Sequence, residues 1–188
     1  PLTKIYFKSK YGKILDLMFR KQISLYVTHT AFDVGRGGVN DTLARMLEIK
    51  DLNYEIEKDS FIRYGKIEGI FLRDLALKVK NKFNLSGLRM AGDPEKVIRY
   101  LGVVGGSGGH DEDIELALML GLDCYITGEV SLYAAQKAVE NNLSILEVNH
   151  GVEKFALISL AEELKEEFSL NNNIFVSNVE TDPFITIK

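Results

Sequence analysis

Two hydrophobic periods alternate along the chain. Residues 23–27 (ISLYV) have the β-branched and aromatic content of a buried strand, and Val39, Leu43, Ala44 and Leu47 then recur on one helical face. Between them lie His29, Asp33, Gly35 and Gly37-Gly38, with Asn40 or Asp41 placed as a cap or first-turn acid. Residues 143–168 repeat the plan. ISLYVTH lines up with LSILEVNH, which sets His29 against His150, and Leu43-Ala44 and Leu47 match Leu160-Ala161 and Leu164. Each copy carries an acid just past its histidine, Asp33 in one and Glu153 in the other. Two strand–His–acid–helix units in one chain indicate an internal duplication. If the halves face each other, both histidines and both acids converge on one site.

The remaining pattern reads as α/β. Residues 1–7 are extended, 14–21 helical, and 61–71 strand-like but broken by Gly65 and Gly69. A helix follows over 72–83, with Leu72, Leu75, Ala76 and Val79 inward. Asn84 to Gly87 marks the boundary between a first half, 1–84, and a second half, 85–188. Strands are predicted at 88–91, 97–104, 123–127 and 174–177, and helices at 111–120, after Glu129 to about Asn141, and after Glu153. The second histidine strand has a full lead-in of strand, helix, strand and helix, whereas the first has only residues 1–21. That inequality predicts a further N-terminal segment before Pro1.

Composition narrows the function classes. With 188 residues and 46% hydrophobic content the chain can bury a substantial core. No apolar run is long enough to span a membrane, and no signal peptide is visible. A net charge of −4 offers no electrostatic footprint for nucleic acid. The single cysteine, Cys124, sits in an apolar run as a small buried residue and fits a reducing cytoplasm.

Three features carry candidate chemistry. The pairs His29/Asp33 and His150/Glu153 join imidazole to carboxylate at spacings that share a helix face, a donor set suited to zinc, iron or manganese. The loop Gly105-Gly106-Ser107-Gly108-Gly109 joins a strand to a helix. It matches neither the P-loop nor the dinucleotide fingerprint, so a phosphate cradle through Gly106, Ser107 and Gly108 and a close-packed turn are both open. Thr127-Gly128-Glu129 follows a buried strand at the edge where α/β sheets place ligands, and Glu129 there can serve as a base or orient a ligand.

THTAFDVGRGGVNDTLARML, VVGGSGG, YITGE and NHGVEKFALISLAEEL, in this order, resemble the Ngg-one-interacting-factor-three-like family, many of whose members carry the description GTP cyclohydrolase 1 type 2 homologue. The resemblance runs over nearly the whole chain. It implies two similar α/β halves related by a pseudo-dyad, each a mixed sheet flanked by helices. It further implies a dinuclear centre of two divalent ions between the halves, and a homohexamer. The family's ligands carry over to Asp33, His150 and Glu153, with His29 as a neighbour of the centre. The family's His-His-Pro motif is absent here, and two residues separate His150 from Glu153 where the family has three. With these ligands alone, one weakly held ion is expected in place of a pair.

The expectation is therefore a cytoplasmic metal-dependent hydrolase acting on a small molecule such as a nucleotide, with Glu129 or His29 moving protons. A non-enzymatic metal-binding scaffold or transcription-related interaction protein is the alternative.

Overall fold

Strand β4 (Val97–Val104) is the spine of the molecule, because its alternate residues have helices to cover them on both sides. The structure, a computed structural model, describes residues 4–54, 61–169, 173–179 and 182–184. Around β4 the strands β1 (Lys50–Tyr54), β2 (Arg63–Phe71), β3 (Arg89–Ala91), β5 (Cys124–Thr127) and β6 (Ser144–Glu147) form one sheet in the order β1-β2-β4-β5-β6-β3. β4, β5 and β6 run parallel, while β1, β2 and β3 are antiparallel to their neighbours. The chain is a mixed α/β protein. Strands from before and after Asn84 share this one sheet.

Helices cover both faces. α3 (Val39–Met46), α4 (Leu72–Lys82) and α7 (Lys154–Glu167) bury Leu43, Leu72, Val79 and Ala156 against Ile98, Leu101 and Ile126. On the other face α5 (Asp111–Met119) and α6 (Leu132–Glu140) bury Ile114, Ala117, Ala134 and Ala138 against Tyr125, Val104 and Ile145. Each such Leu or Ile contributes about 1.5–3 kcal/mol of transfer free energy. The parallel strands and their crossovers put the loops after β4, β5 and β6 on one edge of the sheet. At the opposite edge the Asp123 carboxylate accepts from the backbone N–H groups of Arg99 and Tyr100 at 2.8 and 2.9 Å. Gly121 turns there with φ +68° and open space around it.

Several expectations need correction. Residues 23–27 form no strand: Tyr26 is 87% exposed, and Ile23, Leu25 and Val27 are also exposed. The residue types suit a strand, but a ladder needs a neighbour, and none of the described strands lies beside this segment. Residues 174–177 are likewise irregular. Residues 63–71, by contrast, form one continuous strand. Gly65 lets the backbone of Lys50 and Asp51 approach closely, and the break near Gly69 is a register shift between Lys66 and Ile70. Of the two roles open to Asn40 and Asp41, the N-cap of α3 falls to neither, while Asp41 is the acid of its first turn. Gly38 takes the N-cap and both polar side chains are buried. α1 (Lys10–Lys21) matches the helix read at 14–21, extended by one turn from its Ser9 cap.

Candidate functional site

The two repeats meet the site through unusual backbone. After β6 the chain reaches Asn149 at φ +69° and enters a 3-10 turn, His150–Glu153, that leads into α7. His29, at φ +42°, opens the short helix α2 (Thr30–Val34) in the same way. Left-handed φ is strained for a residue with a Cβ and concentrates at functional positions. Both bends precede a helical turn, and alignment on them sets His29 against Asn149, where alignment of the letters sets it against His150. In that register Asp33 and Glu153 each stand four residues after the bend.

His150 is the hub. Its Nδ1 lies 2.7 Å from Glu129 Oε1, contributed by the loop after β5, and its Nε2 lies 3.6 Å from Glu153 Oε1. Desolvation would lower the imidazole's pKa, but the Glu129 bond and the charges of Glu153, Glu129 and Asp33 outweigh it and hold the pKa above the usual histidine value. Burial raises the Asp33 carboxyl, against the pull of His29 and His150. Burial also raises Glu153, with His150 opposing and the negative Asp33 reinforcing the shift. Three acids and two imidazoles thus share one electrostatic neighbourhood.

That neighbourhood opens on a cleft of ≈ 940 Å³ lined by His29, Asp33, Ser107, Gly108, His150 and Glu153, with apolar walls that include Phe32, Phe61 and Phe155. Every sequence-predicted site residue lies in or against it. Glu129 stands behind His150, and Gly106 behind Glu153: a Cβ added at Gly106 would overlap Glu153 Oε1 and sit 3.3 Å from His150 Nε2. The glycine loop is therefore the close-packed back wall of the His150–Glu153 pair. Its Gly108 N–H donates to Thr127 Oγ1 at 3.1 Å, and its Gly108 carbonyl accepts from the Tyr125 hydroxyl at 2.6 Å. Only Ser107 of the three is exposed. His110, at the rim, is the N-cap of α5, and its backbone N–H donates to Asp113 Oδ2 at 3.0 Å.

Four buried residues, Asn40, Asp41, Arg63 and Thr127, support the site in a role the sequence did not assign to them. Asp41 pairs with Arg63 at 2.5 Å, and Arg63 Nη2 donates to the Val34 carbonyl, next to Asp33. Polar letters opening an apolar helix face, and a threonine closing an apolar strand, were the available signals.

The donors fit a metal ion in part. An imidazole whose Nδ1 is held by a carboxylate presents Nε2 in the orientation metal-binding histidines adopt, with a second carboxylate beside it. Among the described residues, however, no three His, Cys, Asp or Glu side chains are already gathered as a complete ligand set. His150 and Glu153 are in place, and Asp33 faces them from the same cleft.

Comparisons with known proteins agree with this architecture. The GTP cyclohydrolase 1 type 2 homolog of Streptococcus pneumoniae is 31% identical over 98% of this chain and 72% of its own. NIF3-like protein 1 of Drosophila melanogaster is 28% identical over 100% of this chain and 65% of its own. The crystal structure of a Bacillus cereus protein related to NIF3 shares the fold, with a TM-score of 0.89 at 21% identity, covering 100% of this chain and 80% of that one. The family description Duf34/NIF3 (NGG1p interacting factor 3) matches residues 1–183, and the chain belongs to that family.

Proposed function

We propose that the cleft binds a divalent ion (zinc, iron or manganese) through His150, Glu153 and Asp33, and supports hydrolase-type chemistry on a small-molecule substrate. The observation that carries the reading is His150, clasped by Glu129 at Nδ1 and facing Glu153 with Nε2. The chemistry an ion supplies when bound is Lewis acidity, which lets water ionise near neutral pH. The chain's own groups do the rest. Glu129 fixes the imidazole's ring and tautomer. His29, exposed on the cleft wall beside Asp33, exchanges protons with solvent. Ser107 offers a hydroxyl at the rim, and the phenylalanine walls limit access of bulk water.

The names of relatives support a nucleotide such as GTP as the first substrate to test. Resemblance to the family supports a second ion and a homohexamer, and buried, unpaired Cys124 supports a cytoplasmic setting. No described helix is long and apolar enough to cross a membrane.

A second reading, a metal-binding or interaction protein without turnover, is favoured by one observation, the incomplete ligand set. The deciding experiment loads the protein with zinc or manganese, measures bound metal by elemental analysis, and follows loss of guanine absorbance with GTP. Metal that disappears in Asp33→Ala and His150→Ala, with turnover, supports the first reading. Metal without turnover supports the second, and absence of metal in the parent protein overturns the first and leaves of the second only an interaction protein.

A further inference from the structure

We infer that Asn40, Asp41 and Arg63 are positioning residues: a buried polar clamp that sets the gap between Asp33 and the His150–Glu153 pair. This inference builds on the proposed site, but its geometric claim stands without a metal. Asn40 is wholly buried in the first turn of α3, and its two amide atoms point to different parts of the fold. Nδ2 donates to the Phe61 carbonyl at 3.0 Å, and Oδ1 accepts from the Gly105 N–H at 2.8 Å. Gly105 is the first residue of the wall behind Glu153, where an added Cβ would lie 3.3 Å from Glu153 Cγ. One end of the clamp therefore fixes the surface on which Glu153 rests.

The neighbouring residue fixes the other side. Asp41 Oδ1 accepts from Arg63 Nε, while Oδ2 accepts from the Gly37 N–H at 2.9 Å, closing the turn after α2. Arg63, only 3% exposed, donates through Nη2 to the Val34 carbonyl at 2.6 Å and through Nη1 to the same Phe61 carbonyl at 3.4 Å. A planar fork can satisfy all three acceptors together, which an ammonium at that position cannot. Val34 adjoins Asp33, so the helix carrying the acid is tied to α3 and to the lead-in of β2. Adjacent residues on one helical turn thus hold the two sides of the cleft, with the Phe61 carbonyl as their common anchor.

Such a clamp differs from generic core packing in what it disturbs. Arg63→Lys keeps the charge and loses the fork, and Asn40→Ala loses both bonds. Each is compared with Glu48→Gln, which breaks the pairing of Glu48 with Lys78 and Lys82 away from the cleft. Zinc affinity is measured by chelator competition, and the visible spectrum of the cobalt-substituted protein reports ligand geometry. Both clamp variants are expected to weaken zinc at least tenfold and alter the cobalt bands, with Glu48→Gln unchanged in both at matched folded fraction. In a second arm, metal-free Asp33→Cys/Glu153→Cys protein is cross-linked with dibromobimane, and adding either clamp substitution should slow the reaction severalfold. If the parent binds no zinc, the metal reading fails and the cross-linking arm alone decides the clamp. Unchanged cross-linking overturns the clamp, as does an equal loss of zinc affinity in Glu48→Gln.

Discussion

Glu129 and His150 lie 21 positions apart and join at 2.7 Å through Oε1 and Nδ1, across the ends of two parallel strands. That bond assigns the imidazole's two nitrogens different duties. Glu129→Gln should lower the His150 pKa, read from the imidazole C2 proton in a titration by magnetic resonance, because the anionic acceptor is lost. If an ion sits on Nε2, the same substitution should weaken it about 10- to 100-fold.

Gly106→Ala tests the wall behind Glu153. The new methyl group meets the end of a flexible carboxylate side chain, so the fold survives while Glu153 is displaced. The left-handed φ of +66° adds strain on the order of 1 kcal/mol. The expected result is a folded protein with a slightly lower melting temperature and sharply reduced zinc content by elemental analysis.

Removing one member of the Asp41–Arg63 pair strands a buried charge. Asp41→Ala should cost about 3–5 kcal/mol in urea unfolding, and Asp41→Leu with Arg63→Met should recover much of that. Equal losses in the single and double variants would contradict the pairing.

Acid dependence of the metal-free protein has a definite sign. The folded-state pKa of His150 is raised, so its contribution is present in full below the unfolded value of about 6.5 and fades as pH rises through the higher folded value. Raising the pH from 6 to 8 should lower the melting temperature, and Glu129→Gln should flatten that fall. Glu48, held to about 2 by Lys78 and Lys82, acts oppositely, its contribution fading as pH drops from about 4.5 toward 2.

How legible each element was depended on where its partners lie. The extents of β4, β5, α4 and α5 could be read almost to the residue, because their apolar period is set by the covering faces around them. Residues 23–27 carry the same kind of letters without a neighbouring strand among the described residues, and letters alone cannot supply one. Asp33, His150 and Glu153 stood out as chemistry-bearing side chains beside turns. Their support did not, because Asn40 reaches Gly105 across 65 positions and Arg63 reaches Val34 across 29, distances over which no local period speaks. The letters match His29 to His150, whereas alignment on the two positive-φ bends matches it to Asn149 and pairs the acids.

The parallel run of β4, β5 and β6 leaves the molecule with a working rim and a plain rim. The loops after β4, β5 and β6 all leave the sheet on the side of the cleft, while Asp123 and the open turn at Gly121 close the other. A group added at Gly121 starts in open space on the rim opposite the cleft. An appended module is therefore best grafted on the plain rim, where it leaves the cleft residues as they are.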